Sequence, residues 1–257
     1  MTESEVLSLD LTGIRRLTVA DFAERRMTNQ EFFHIAGLVG GYWEYLGEPR
    51  FSAPHMLAQS GLHLGNYINC SLILAESTVR EILAAQMIRY CPIETNKIDW
   101  VVTAALAGIT LGGEIARQLR ARDGFVEKGD DKELSAWRFQ ILAGESVLLV
   151  NELITTPDGS IYATKQTVEK LNPELVRFLP YAALMVDRCP SKTLADGTQI
   201  RSLFKFVFPA YPESGCPYCA AGSSLVRGKA NFRRLWQEQQ AYQREQQGGN
   251  KAQRRLS

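Results

Sequence analysis

The sequence predicts an α/β fold in which helices flank a mostly parallel central sheet. Short apolar segments alternate with helical segments through the middle of the chain, from about residue 98 to residue 188. Such alternation is typical of parallel strands joined by crossover helices. The chain has 257 residues, of which 45% are hydrophobic and 22% are charged. This is enough for one sizeable domain with small additions, or for two small domains.

The N-terminal third predicts mixed structure ahead of this sheet. Helical spacing and aromatic residues over 18–47 predict a helix that ends at a pair of glycines. Residues 51–74 have the pattern of extended pieces around a Ser-Gly turn. Apolar residues at helical spacing predict a further helix over 77–90, where Ser and Thr supply a favourable N-cap.

The sheet elements follow in order. Buried strands are predicted from the apolar segments "IDWVVTAAL", "GFVEK", "SVLLV" and "YAALMVDR". Helices are predicted from "EIARQLR" and "IYATKQTVEKL", and the intervening "AGITLGG" and "NELITTPDGS" are predicted to be a turn and a loop. Ligands of such sheets bind beyond the carboxyl ends of the strands, and "NELITTPDGS" lies at one of those ends.

The C-terminal tail is rich in Gln and Arg. Residues 231–247 predict a surface helix anchored by Phe232, Leu235 and Trp236, with disorder after two glycines. Its basic residues indicate either solvated charge or a nucleic-acid contact, and solvated charge is the favoured interpretation.

Composition and charge exclude several classes of protein. The formal net charge is +1, which gives no bulk reason to expect a nucleic-acid or membrane partner. No apolar stretch approaches the ~20 residues that span a bilayer, and the polar N-terminus lacks the pattern of a signal peptide. We therefore expect a cytoplasmic protein. Its five cysteines are expected to be reduced thiols.

The loop after the third apolar strand has the composition of a phosphate site. Three hydroxyl residues (Thr155, Thr156, Ser160) and several backbone amides precede a predicted helix. A helix N-terminus with free amides binds phosphate, and the preceding Asn151 and Glu152 can hydrogen-bond sugar hydroxyls. The alternative is an ordinary Asp-Gly turn whose hydroxyl residues cap the helix.

A second loop, "TAALAGITLGG" over residues 103–113, follows the first apolar strand. Its small residues let the backbone approach a ligand closely, and Gly108 and Gly112–Gly113 fit an oxyanion site. A tight strand-to-helix connection would use the same residues.

Six segments, taken in order, resemble the orotate phosphoribosyltransferases. "MLAQSGLHLGNYINC" resembles an N-terminal family segment, and "VVTAALAGITLGGEIA" is similar to the family's pyrophosphate loop "GPALGGIPLG". "FVEK" resembles the strand that leads into its mobile catalytic loop. "RFQILAGESVLLVNELITTPDGS" resembles the stretch that ends "VLVVEDVITTGGS", which holds the phosphoribosyl pyrophosphate (PRPP) signature. "MVDR" resembles a strand end with an arginine, and "ESGCPYCAAGSSL" resembles the close "CPLCxxGxPL" of one branch.

The resemblance, which covers about residues 50–228, implies the type I phosphoribosyltransferase fold with a small hood from the chain ends. It implies a domain over 1–228, with a helical and hood part at about 1–75 and a core at about 76–210, followed by a C-terminal helix and basic tail at 229–257. The implied activity is transfer of ribose 5-phosphate from PRPP to orotate, in pyrimidine nucleotide biosynthesis. Magnesium, bound mainly through PRPP, and a homodimer are also implied.

The resemblance also implies roles for single residues. Asn151 and Glu152 would hold the ribose hydroxyls, and Lys128 would contact pyrophosphate. His63 would contact pyrophosphate or the base, unless it is a hydrogen-bonded turn histidine. Arg188 would pair with the orotate carboxylate, unless it forms a structural ion pair. The remaining substrate-binding residues are Thr155, Thr156, Asp158, Gly159 and Ser160 for the 5-phosphate, and Ala105, Ala107 and Gly108 for pyrophosphate.

Three departures from the family pattern fall on substrate-binding elements. The acidic pair of the family is Asn151-Glu152 here. The phosphate loop is one residue longer, with Pro157, which lacks an amide donor, and Asp158, which adds a negative charge. The segment expected to form the mobile loop, residues 129–137, is short and acidic. The alternatives are a weakened or inactive homologue that binds phosphosugars or nucleotides, or a transferase for another base.

Cys216 and Cys219 form a C-x-x-C, which is half of a zinc site. The other candidate ligands are scattered along the chain, so a reduced Cys-Pro turn that packs on the sheet is favoured over the alternative, a structural zinc site. No residue is assigned to a metal.

Overall fold

The computed structural model describes residues 1–45, 54–58, 60–91, 93, 98–128, 134–136, 139–172 and 176–253. Its helices are α1 (Glu3–Leu7), α2 (Leu11–Ile14), α3 (Asn29–Leu38), α4 (Cys70–Ala75), α5 (Ser77–Tyr90), α6 (Ala107–Leu119), α7 (Ser160–Leu171), α8 (Pro217–Ala220) and α9 (Gly228–Gln253). Its strands are β1 (Tyr42–Glu44), β2 (His55–Leu57), β3 (His63–Leu64), β4 (Asn66–Ile68), β5 (Trp100–Ala104), β6 (Arg122–Lys128), β7 (Leu134–Ala136), β8 (Ser146–Ile154), β9 (Arg177–Asp187), β10 (Gln199–Lys205), β11 (Ala210–Tyr211) and β12 (Leu225–Arg227).

The chain forms two compact units. One comprises Met1–Ile35 and Cys70–Phe206, and the other comprises Ala36–Asn69 and Val207–Ser257. We call them the core unit and the small unit. Among the described helices, none combines the length and the apolar character needed to cross a lipid bilayer.

The core unit contains a six-stranded sheet in the order β10-β9-β8-β5-β6-β7. The five strands from β10 to β6 are parallel, and β7 pairs antiparallel with β6. This confirms the predicted mostly parallel sheet. The segment expected to be a mobile loop contains β7, while residues 129–133 and 137–138 lie outside the described part of the chain.

Helices cover both faces of this sheet. Successive residues of a strand point to opposite faces, and β5 shows the two sides clearly. Trp100 and Val102 belong to a buried cluster that includes Ile161 and Val168 of α7. Thr103, which points the other way, lies against Gly112 of α6. Because α6 and α7 lie on opposite faces, the strands are buried on both sides, which explains their continuous apolar runs.

Helix α6 begins earlier than the sequence predicts. Residues 107–113 were expected to be a turn because of their glycines, yet they form the first two turns of α6. Glycine costs only about 1 kcal/mol in a helix, and packing can outweigh that cost. Here Gly112 packs so tightly on Thr103 that a side chain would not fit, so the contact favours both the helix and its glycine.

The helix predicted within 18–47, with its end at Gly40 and Gly41, was also too long. The structure has a 3-10 turn at Val19–Phe22, then α3 at Asn29–Leu38 and strand β1. Thr28 and Glu31 explain the new start, because each side chain accepts a hydrogen bond from the backbone amide of the other, at 2.8 and 3.2 Å. Gly40, with a φ of 77°, follows the end of α3.

The small unit has a four-stranded sheet, β11-β3-β2-β12, and a two-stranded one, β1-β4. The predicted C-terminal helix is confirmed as α9, although it continues to Gln253, past the glycines where disorder was expected. Phe232 and Leu235 are buried in a cluster with Trp43, Met56 and Leu64. The indole nitrogen of Trp236 donates to Gly37 O at 3.1 Å. The three predicted anchors therefore hold α9 in the small unit.

Candidate functional site

The candidate site lies where β5 and β8 end side by side. After β5 the chain passes through α6 to β6, which lies toward one edge of the sheet. After β8 it passes through α7 to β9, which lies toward the opposite edge. Since α6 and α7 also cover opposite faces, the carboxyl ends of these two strands form the topological switch point of the sheet. Open α/β sheets bind ligands at such a switch point. Both loops singled out in the sequence follow these two strand ends.

Asn151 and Glu152 lie near the end of β8, beside the start of α6. Asn151 is buried, and its Nδ2 donates to Ser160 Oγ at 3.0 Å and to Leu153 O at 3.3 Å. A Cβ placed on Gly108 would lie 2.9 Å from Asn151 Oδ1 and 3.1 Å from Glu152 Oε2. The two oxygens therefore converge beside Gly108, and any larger residue there would displace them.

These two oxygens have no partner among the described residues. Asn151 Oδ1 and Glu152 Oε2 are both buried, and neither accepts a hydrogen bond from that part of the chain. Buried polar atoms in proteins are nearly always hydrogen-bonded, because an unpaired acceptor costs about 1–3 kcal/mol. Two such acceptors that face one spot are the mark of a site that binds hydrogen-bond donors or a cation.

The environment of Glu152 also disfavours its charge. Burial raises the pKa of the Glu152 carboxyl above its ordinary value, and a hydrogen bond from its own backbone amide only partly offsets this. Cys70, at the start of α4, is buried, and its thiol pKa is raised first by burial and further by the charge of Glu152. No sequence signal pointed to Cys70, which precedes Glu152 by more than eighty residues.

The phosphate-loop candidates form a turn ahead of α7. Gly159 N donates to Thr156 O at 3.2 Å, and a Cβ on Gly159 would lie only 3.1 Å from the same oxygen. Pro157 O accepts from Ala195 N at 3.1 Å, so the loop is tied to the segment between β9 and β10. Thr155, Thr156, Asp158 and Ser160 are exposed at the N-terminus of α7. Amides and hydroxyls there suit an anion.

The remaining predicted residues divide by location. Arg188 follows β9 at the same edge of the sheet, where its backbone amide donates to Ile154 O at 2.9 Å. The neighbouring Asp187 accepts from Lys205 Nζ at 2.9 Å. Ala105 and Ala107 flank the start of α6. Lys128 is the last residue of β6, and its side chain lies outside the described part of the structure.

His63 belongs to the small unit rather than the core unit. Its ring Nδ1 lies 2.9 Å from His55 Nε2 and 3.3 Å from Cys219 Sγ. The family resemblance assigned His63 to substrate and left His55 without a role. A histidine eight residues earlier was visible, but pairing His55 with His63 required the antiparallel register of β2 and β3.

The amide of Asn151 explains why this position is not an acid. We expect Asn151→Asp to lower the free energy of unfolding by about 1–2 kcal/mol, because a carboxylate cannot donate to Leu153 O. Thermal unfolding should show a melting temperature lower by several degrees, and the loss should be greater at pH 8 than at pH 5. The surface control is Asn231→Asp. Asn231 lies on α9, and its amide donates to Arg227 O at 3.0 Å. An Asn151→Asp protein at least as stable as the parent would contradict this assignment.

Comparison with known proteins gives several relatives. The chain is 32% identical over 181 residues to an orotate phosphoribosyltransferase from a Nitratiruptor species, covering 67% of this chain and 89% of the relative. It is 31% identical over 173 residues to an orotate phosphoribosyltransferase from Caldicellulosiruptor saccharolyticus, covering 67% of this chain and 86% of the relative.

Among solved structures, the chain is similar to orotate phosphoribosyltransferase from Aeropyrum pernix, with a TM-score of 0.49 and 16% identity over 59% of this chain and 85% of the other. No protein-family model matches the chain. Both sequence relatives exceed 30% identity along most of their own length. The chain belongs to the orotate phosphoribosyltransferase family.

Proposed function

We propose that this protein transfers ribose 5-phosphate from PRPP to orotate and releases pyrophosphate. The observation that carries the proposal is the pair of buried oxygens, Asn151 Oδ1 and Glu152 Oε2, that converge beside Gly108 without a partner among the described residues. The vicinal hydroxyls of a ribose supply two adjacent donors to such a pair. The family relationship supports the same assignment.

The rest of PRPP fits the two neighbouring loops. The 5-phosphate would lie at the N-terminus of α7, where Thr155, Thr156 and Ser160 are exposed and Gly159 allows close approach. Asp158 is exposed at this loop, so its charge is solvated. Pyrophosphate would lie along the backbone of Ala105, Ala107 and Gly108. A ribose held at Asn151 and Glu152 joins these two anion sites.

The chemistry requires little beyond positioning and charge. The bond from the anomeric carbon to a pyrophosphate oxygen breaks, and the ribose becomes cationic. The orotate ring nitrogen bonds to that carbon and gives up its proton to the released pyrophosphate or to solvent. A carboxylate at Glu152 would stabilise that positive charge, since electrostatic effects are large where water is excluded. Binding all three parts of PRPP would hold the reacting carbon in place.

Magnesium fits this site as part of the substrate. Asn151 Oδ1 and Glu152 Oε2 are hard oxygen donors of the kind Mg²⁺ prefers, and with few protein ligands the ion would be held mostly by PRPP. When bound, it supplies positive charge to the departing pyrophosphate.

Arg188 supports orotate as the acceptor. Its position at the end of β9 places it at the same sheet edge as Glu152, and a guanidinium pairs well with a carboxylate. Contacts of Lys128 with pyrophosphate and of His63 with pyrophosphate or the base remain predictions from the family resemblance, as does a homodimer. A cytoplasmic location remains a prediction from the polar N-terminus and the apolar pattern of the sequence.

The activity test uses purified protein with PRPP, magnesium chloride and orotate. We expect loss of orotate absorbance that depends on all three additions. Uracil and adenine serve as alternative acceptors, and calorimetry measures PRPP binding separately. PRPP binding without turnover of any acceptor would favour a phosphosugar-binding module, and the absence of both turnover and binding would overturn the proposal.

A further inference from the structure

Four metal-ligating side chains meet in the small unit. His55 lies on β2, His63 on β3, Cys216 just before α8 and Cys219 within it. One ligand atom from each falls within 4.8 Å of all the others. His55, His63 and Cys216 are buried, and Cys219 is the most exposed of the four. The two histidines and the two cysteines come from segments about 150 residues apart in the chain.

The distances approach those of a tetrahedral zinc site. Zinc–nitrogen and zinc–sulfur bonds of about 2.05 and 2.3 Å place two nitrogens about 3.3 Å apart, and nitrogen and sulfur about 3.6 Å apart. Cys219 Sγ lies 3.4 Å from His55 Nε2 and 3.3 Å from His63 Nδ1. The two ring nitrogens lie 2.9 Å apart. Side-chain shifts of a few tenths of an ångström would bring these three ligand atoms to tetrahedral spacing, and Cys216 Sγ lies within 4.8 Å of each of them.

The ring of His55 is oriented by a further partner. Its Nδ1, the nitrogen that faces away from the cluster, lies 3.1 Å from Ser223 Oγ. Histidines that bind a metal usually donate their other ring N–H in this way, which fixes both the tautomer and the ring orientation. Gly222, with a φ of 77°, makes the turn that brings Ser223 back to His55 after α8.

The small unit, as far as it is described, has few other interactions to hold its segments together, so a metal bound by these four side chains would stabilise it. Its described strands contain only two or three residues each, from β1 to β4 and again at β11 and β12. Its buried apolar cluster rests, in the described part of the chain, on the side chains of Trp43, Met56, Leu64, Phe232 and Leu235. Folding units with so little core are commonly held by disulfides or a metal, and the cysteines here are free thiols.

We propose that His55, His63, Cys216 and Cys219 bind one zinc ion. Two sulfur and two nitrogen ligands favour zinc over magnesium or calcium, which prefer oxygen. With four protein ligands the site has no open position, as in structural rather than catalytic zinc sites. The ion ties the β2–β3 hairpin to the segment between β11 and β12. His63 is then a metal ligand and is not available to substrate.

The first measurement is the zinc content of the untagged full chain, purified from zinc-supplemented medium without chelators. We expect about one zinc ion per chain by elemental analysis. Replacing zinc with Co²⁺ should give the visible bands of tetrahedral cobalt and a sulfur-to-cobalt charge-transfer band. Less than one tenth of an equivalent of zinc, together with no tetrahedral cobalt spectrum, would overturn the proposal.

The second measurement compares variants. Cys216→Ser and Cys219→Ser should lose the charge-transfer band and most of the retained zinc, while Cys91→Ala, a buried cysteine of the core unit, should keep both. Ser223→Ala should keep the spectrum but bind the metal about tenfold more weakly. If both Cys216→Ser and Cys219→Ser retain a full equivalent of zinc, the ion is bound elsewhere and the proposed site is wrong. Because the cobalt spectrum is recorded on the parent protein, the test holds even if a variant does not fold.

Discussion

Replacing Glu152 by glutamine is expected to lower kcat/KM for PRPP by about 10- to 100-fold while it raises the stability of the ligand-free protein. The catalytic loss follows from removing a charged hydrogen-bond acceptor, worth about 1.5–3 kcal/mol, from the ribose and from the cationic transition state. The glutamine side chain would keep one acceptor oxygen, so binding weakens without being abolished.

The gain in stability follows from the raised pKa of Glu152. Burial favours the protonated form in the folded state, so this carboxyl supports folding most below its unfolded pKa. That contribution is lost as the pH rises through the folded pKa, and at neutral pH the buried charge has a cost. We expect Glu152→Gln to add about 1 kcal/mol at pH 7.5 and much less below pH 4.5.

Thermal unfolding at several pH values, with steady-state kinetics at pH 7.5, measures both effects. Glu169→Gln, on the exposed face of α7, removes the same charge outside the site and should change neither activity nor stability appreciably. A Glu152→Gln protein with parental kcat/KM would show that Glu152 does not touch substrate. A variant with lower stability at neutral pH would show that the carboxylate has a partner of its own.

Gly112→Ala is expected to destabilise the core unit by about 2–3 kcal/mol. A Cβ on Gly112 would lie 2.3 Å from Thr103 Cγ2, well inside contact distance. Thr103 is buried on the central strand β5, and its β-branched side chain has few rotamers with which to move away. Helix α6 would have to shift, and it carries Gly108, which lies beside Asn151 and Glu152, the proposed ribose-binding pair.

Two matched variants isolate this contact. Gly113→Ala changes the next residue of the same helix, where the nearest atom is Asp123 Oδ2 at 3.8 Å, and should stabilise by about 0.5 kcal/mol. Thr103→Ser removes the methyl group that would clash with a Cβ on Gly112. The remaining near atoms of residue 103 would lie 3.5 and 3.6 Å from that Cβ, which is ordinary contact distance. The double variant should therefore recover most of the loss in a double-mutant cycle. Strictly additive effects of the two substitutions would contradict the contact.

The sequence predicted the sheet well because its strands are buried on both faces. A continuous apolar run such as Val147–Val150 is typical of a strand that is buried on both faces of a parallel sheet. Helix starts were predicted less well, at Ala107 and at Asn29, because glycines and capping pairs act through contacts that composition does not record. The two candidate ligand loops were selected because parallel strands end at one edge, and the structure places both beyond the neighbouring strands β5 and β8.

The chemistry of the candidate site was also visible in part. The pair Asn151-Glu152 and the hydroxyl loop over residues 155–160 could be selected from residue type and position alone. The sequence could not tell that the Asn151 amide donates a hydrogen bond to Ser160, or that Glu152 Oε2 is buried. Those properties depend on the packing around the end of β8, where the first turn of α6 brings Gly108 beside both side chains.

By itself the sequence determined the class of fold, the order of the strands along the chain and the loops that resemble the substrate-binding loops of this family. Each of these follows from local pattern, namely apolar runs, turn residues and spacing. Only the tertiary structure decided that β5 lies beside β8, that two oxygens converge beside Gly108 without a partner in the described chain, and that two histidines meet a C-x-x-C. The physical reason is that pairing across long chain separations depends on strand register and packing, which no short segment encodes.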